Sequence, residues 1–229
     1  MRQQQSGFTL IEIAIVLVVI GLLLGGVMKG QELIHSAKVK NLANDFRTTS
    51  TLVYAYQDRF RLMPGDQTQG QLDAAFGTGT ASACTPAAAG LCSTNNGRID
   101  GPWDSTALTA ESFTFWQHVR LANLATGATN TSDANYLPRN AEGGQIGIES
   151  GISATGTTAP FIAGMRGSYF ICSNGISGRH VRQLDEMLDD GNTAGGSLQA
   201  VAAGSTRGST AVASTAIQDS LTYTVCLGA

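Results

Sequence analysis

From Phe8 to Met28 the chain runs through 21 residues whose only charged side chain is Glu12, the rest being mostly Ile, Leu, Val, Ala and Gly. At 1.5 Å per residue such a segment makes a helix of about 31 Å, matching the roughly 30 Å hydrocarbon core of a bilayer. No second segment of this kind follows, so the sequence predicts one membrane-length helix and a soluble remainder from about Lys29 onward. With 42% apolar and 14% charged residues the chain as a whole is too apolar to stay disordered, and 28 glycines in 229 residues point to a loop-rich fold. A net charge of -3 and a pI near 5.5 supply no basic field for phosphates. A nucleic acid is therefore not expected as the main partner.

The residues ahead of the apolar run narrow the reading further. A secretory signal peptide carries its small-residue cleavage site after the apolar stretch. Here the small residue, Gly7, comes first, behind the short polar segment 1–7 with Arg2. A cut after Gly7 leaves the apolar helix on the mature chain, with Phe8 as its new amino terminus. The segment Met-Arg-Gln-Gln-Gln-Ser-Gly followed by Phe-Thr-Leu-Ile-Glu and about twenty apolar residues resembles the leader and cleavage site of type IV prepilins and of the pseudopilins of type II secretion. The resemblance implies an inner-membrane prepilin peptidase and methyltransferase that cuts between Gly7 and Phe8 and methylates the Phe8 amino group. It also implies partner subunits of the same kind, inner-membrane assembly machinery, and a role for Glu12 in assembly. An ionised carboxylate within hydrocarbon costs a few kcal/mol and usually has a partner; the amino terminus of a neighbouring subunit fits.

Gly21 with Gly25 and Gly26 with Gly30 make two small-x-x-x-small pairs, a spacing that lets membrane helices approach. Beyond Met28 the helix continues, because Ile34, Lys38, Leu42, Phe46, Thr49, Val53, Tyr56 and Phe60 keep one face by steps of three and four. Pro64 and Gly65 end it. The expected fold class is α+β: a long amino-terminal helix, half membrane-borne and half soluble, packed on a loop-rich head with an antiparallel sheet. The boundaries are a leader at 1–7, a transmembrane and filament-core helix at 8–28, its soluble half at 29–62 and an exported globular head at 63–229.

Within the head, Gln67 to Ser105 reads as a long loop. A second helix, capped by Thr109 with Glu111 in its first turn, runs to about Leu124. Strands are expected at Gln145 to Glu149, Pro160 to Ala163, Ser168 to Cys172, Ser197 to Ala203 and Leu221 to Cys226, with a short helix from Arg179 to Leu188. The four cysteines all lie beyond the apolar run, as expected for an exported, disulfide-bonded head. Of three connectivities, we favour Cys84 with Cys92 by proximity and Cys172 with Cys226 as residues of neighbouring strands.

Chemistry-bearing motifs are otherwise sparse. Gly175-Ile-Ser-Gly178 falls one residue short of a nucleophile elbow, His180 reads as a surface residue near Asp185, and no cysteine lies near a histidine. Neither an enzyme nor a cofactor is expected. Asp185, Glu186, Asp189 and Asp190 precede Gly191-Asn192. Asp185, Asp189 and Asp190 are calcium candidates by donor type, but the favoured reading is a structural turn. The resemblance implies a filament subunit, a minor pilin or prepilin, in the inner membrane with its head in the periplasm and later in an extracellular pilus or periplasmic pseudopilus. A type II secretion pseudopilin is the alternative, and a membrane-tethered binding or enzymatic head is the rival from another class.

Overall fold

The structure is a computed structural model that describes residues 9–85, 90–153 and 158–229. Its first element, α1 (Leu10–Phe60), is a single helix of 51 residues. The chain divides into two compact units between Lys38 and Val39. In the first unit Leu10, Leu17, Leu22, Leu24 and Met28 are all exposed, and this helix is long and apolar enough to cross a membrane.

The second unit begins where α1 acquires a buried face: Val39, Leu42, Ala43, Phe46, Thr49, Leu52, Val53 and Tyr56. The predicted stripe holds from Leu42 onward and starts later than expected, since Ile34 is exposed and Val39 is the first buried residue. Burying side chains of this size stabilises a fold by about 1.5–3 kcal/mol each. The helix stops because Arg61 takes a left-handed backbone conformation, φ 59°, just before Pro64.

Gln67 to Ser105 is not all loop, because α2 (Gln69–Phe76) forms within it. A reciprocal capping box starts this helix: the Gln71 amide donates to the Thr68 side chain, and the Thr68 amide donates to the Gln71 side chain. The next helix, α3 (Glu111–Leu121), is capped by Ala110 without any side-chain bond, so Thr109 is not its cap, and it ends at Leu121 before Asn123 turns left-handed.

The strands among the described residues are β1 (Ile146–Glu149), β2 (Ile152–Ser153), β3 (Thr158–Ala159), β4 (Phe170–Ser177), β5 (Leu198–Ala202) and β6 (Thr222–Gly228). Between β4 and β5 lies α4 (Gly178–Leu188). Pro160 to Ala163 is not a strand; Ile162 makes only an isolated bridge to Ser209. The main sheet is antiparallel in the order β1-β4-β6-β5, and β2 with β3 forms a separate pair. A bulge between Ser173 and Ile176 shifts the β4–β6 register, with Gly175 at φ 72°.

Alternation along the strands places side chains on both faces of the sheet. Ile171, Val225 and Ala200 join the large core with α1, α3 and α4. Their neighbours Phe170, Cys172, Cys226 and Val201 join a smaller core with Trp103, Phe161, Ile162 and Met165. Both faces of the sheet are thus covered, with long connections supplying the second layer.

Candidate functional site

Gly7 and Phe8, the expected cleavage and methylation residues, lie outside the described residues. At Thr9, just ahead of α1, the helix start carries a compact polar cap. The Thr9 amide and hydroxyl both donate to Glu12 Oε2, at 2.8 and 2.7 Å, and the Glu12 amide returns a longer bond of 3.4 Å to Thr9 Oγ1. This reciprocal arrangement satisfies amides that a helix start leaves open, and it sets a carboxylate at the positive end of the helix dipole. Sequence reasoning missed Thr9, although Thr-x-x-Glu ahead of an apolar run is the capping-box signal. Farther along α1, a Cβ added at Gly21, Gly25, Gly26 or Gly30 meets nothing within 4 Å. Those positions are open to the approach of another helix.

The cysteines are joined as Cys84–Cys92 and Cys172–Cys226, with Cα separations of 5.9 and 4.0 Å. Cys172 and Cys226 stand directly opposite each other in the β4–β6 register.

The family model for the prokaryotic N-terminal methylation motif matches residues 2–28. The chain carries the type IV pilin and pseudopilin signature. No curated protein and no solved structure matches it. The motif belongs to structural subunits rather than to enzymes, and it implies association with other pilins and processing by prepilin peptidase. Together with the apolar helix it fits anchoring in a membrane.

Several of the head's ionisable groups hold loops. Glu111 is fully buried beside the Cys84 sulfur at 3.7 Å, accepting the Ser93 amide at Oε1 and the Asp100 amide at Oε2, each at 2.8 Å. Burial, and then the nearby Asp100 and Asp66, raise its pKa to about 8 despite these two amides. Asp66 in turn accepts the Asn96 and Gly97 amides. A first-turn acid that reads as a dipole partner is thus the anchor of the loop after Cys92. His118, also buried, accepts the Gly65 amide at Nδ1 and donates from Nε2 to the Ser82 carbonyl, and burial lowers its pKa to about 4.

These two shifts have opposite consequences. His118 stays neutral in the fold but protonates at about 6.5 when unfolded, so its stability contribution is lost as pH falls from about 6.5 to 4. Glu111 keeps its proton up to about 8 but ionises at about 4.5 when unfolded, so stability falls as pH rises through that interval. Between pH 6.5 and 8 the Glu111 slope acts without the opposing one, and we expect the head to lose about 1–2 kcal/mol there. Thermal melts at these two pH values check this. Glu111→Gln should flatten the slope, and an unchanged slope would remove Glu111 as its source.

His180 is buried rather than on the surface, and its partner is Glu142, not Asp185. Ser177 Oγ meets the same nitrogen, Nδ1, at 3.4 Å, so Ser177, His180 and Glu142 do not form a relay through the two ring nitrogens. Glu142 also accepts the Ser177 amide, tying the start of α4 to the turn ahead of β1. Asp189 Oδ2 accepts the Ser197 and Leu198 amides, and Asp190 accepts the Asn192 amide. Asp185 is fully buried. Among the described residues neither of its oxygens has a hydrogen-bond partner, although the nearby Gly191 amide favours the ionised form. Burial, then Asp189 and Asp190, raise its pKa to about 6. Asp185, Asp189 and Asp190 do not converge. Among the described residues, the one set of three metal-type donors within 4.8 Å of one another is Cys84, Cys92 and Glu111, and its two sulfurs are bonded to each other.

Proposed function

We propose that this chain is a type IV pilin-like filament subunit, a minor pilin or prepilin. The position of Gly7 ahead of an apolar helix, within the matched motif, carries this reading. Residues 1–7 are the leader, 8–28 hold the chain in the inner membrane and later form the filament core, and 29–62 continue the helix toward a head at 63–229. Prepilin peptidase cuts after Gly7 and methylates the Phe8 amino group. Inner-membrane machinery then lifts the helix out of the bilayer to pack against other subunits, and Glu12 pairs with a neighbour's amino terminus. The head lies in the periplasm before assembly, where oxidation closes both disulfides. Glu111, His118, His180 and Asp189 are engaged in the head's own turns and loops, which supports a structural rather than an enzymatic role. A type II secretion pseudopilin carries the same motif, and a neighbouring secretion operon would select that alternative.

The test is the mass of the mature chain in cells with an active prepilin peptidase. It should lack residues 1–7 and carry one extra methyl group on Phe8. An intact Met1 terminus, or a cut beyond residue 28, would sink the reading.

A further inference from the structure

The chain's three lysines, Lys29, Lys38 and Lys40, all lie in α1, and no lysine follows residue 40. Within the second unit, Lys40, Arg47 and Tyr54 succeed one another at seven-residue steps, which fall about 20° short of two turns and so trace one line of about 21 Å along the helix. All three are exposed. Lys40 and Arg47 form no ion pair among the described residues. Tyr54 is 60% exposed, yet its ring rests edge-on against Tyr169 at 6.4 Å, which limits its motion. Arginine and a held tyrosine are the side chains that most often anchor protein interfaces.

The carboxyl end of α4 is the electrostatic opposite. Asp185, Glu186, Asp189 and Asp190 crowd the negative end of the helix dipole, and the last turn holds no basic residue. Glu186 and Asp190, four residues apart, are both exposed and form no ion pair among the described residues, and Met187 between them is 39% exposed. Like charges at this spacing repel each other and the dipole together. Buried Asp185, with no hydrogen-bond partner for either oxygen among the described residues, adds to the local deficit of positive charge. A single inorganic cation finds no convergent donor set here, whereas a surface of spaced cations needs none.

We propose that the Lys40, Arg47 and Tyr54 line of α1 docks the Glu186, Met187 and Asp190 end of α4 from a second copy of this chain. The inference rests on the filament-subunit reading and names one contact within it. Used once per copy in each direction, this contact is heterologous and repeats from copy to copy as a filament requires; used reciprocally, it would close a two-fold dimer, so cross-linked species larger than dimers mark the filament contact.

The test uses the full-length chain in cells that process it at Gly7. Arg47→Cys combined with Glu186→Cys should give disulfide-linked multimers under mild oxidation, and neither single variant should. Without the cysteine pair, Lys40→Glu with Arg47→Glu should lower chemically cross-linked self-assembly by about tenfold or more, the effect of about 1.4 kcal/mol per contact. Glu186→Lys with Asp190→Lys should lower it similarly while the detergent-solubilised chain still melts cooperatively, relief of the helix end offsetting the lost bond from the Asn192 amide to Asp190. Combining all four reversals should restore assembly. Assembly indifferent to the reversals, no rescue by the combination, or cross-links joining α1 only to other proteins would each overturn the docking. Those results in a chain still cut at Gly7 leave the subunit reading standing; absence of the cut removes that reading itself.

Discussion

Glu12→Val should insert in the membrane at least as well as the wild type and fail to enter filaments. Removing a carboxylate from an apolar helix relieves a few kcal/mol on insertion. The same change leaves a neighbour's buried amino group without its counter-charge, a loss of several kcal/mol where water is excluded and therefore more than about a hundredfold in incorporation. The structure adds a control that the sequence alone does not suggest. Both Thr9 bonds go to Oε2 of Glu12, leaving Oε1 outside the capping box. Glu12→Gln keeps an acceptor for Thr9 and removes the charge, whereas Thr9→Val removes the cap and keeps the charge. If the charge is what matters, Glu12→Gln behaves like Glu12→Val, and Thr9→Val assembles nearly normally. Filament recovery at matched expression is the measurement. Normal incorporation of Glu12→Val would defeat the pairing.

Loss of the Cys172–Cys226 bond should destabilise the head more than any single change to its turns. The bond closes a separation of 54 residues, against 8 for Cys84–Cys92. In the chain-entropy account these correspond to about 4 and about 2.5 kcal/mol. The larger is a substantial share of the 5–15 kcal/mol typical of a whole domain. Cys172→Ser with Cys226→Ser should therefore lower the denaturation midpoint clearly more than Cys84→Ser with Cys92→Ser. Equal losses, or a smaller loss for the β4–β6 pair, would contradict this ranking.

What could be read in advance followed periodicity. The steps of three and four from Leu42 to Phe60 reveal a helix face because burial of that face selects those residues, and β4, β5 and β6 show as apolar runs between strong turns. The short α2 escaped notice because Gln69 to Phe76 lacks an apolar stripe long enough to register; its start depends on the Thr68 and Gln71 side chains. The first-turn place of Glu111 is legible, but the burial of Glu111 and Asp185 is not, for a different reason. Acids near helix ends look solvated until loops distant in sequence cover them, and no local pattern reports that Ser93 and Asp100 will present their amides to Glu111. His180 is a similar case, since its partner Glu142 lies 38 residues away. Thr9, in contrast, was legible in the Thr-x-x-Glu spacing and was eclipsed by the apolar run behind it.

The cross-strand bond between β4 and β6 also sets how the head bears tension. A chain pulled from both ends normally lengthens by peeling its strands apart, each released residue adding up to about 3.5 Å of contour. With Cys172 bonded to Cys226, force passes directly from one strand to the other and bypasses everything between them, including α4 and β5. That bypass withholds about 180 Å of slack. A subunit so strapped yields only in its earlier segments, and its last two long strands remain paired while the load is on.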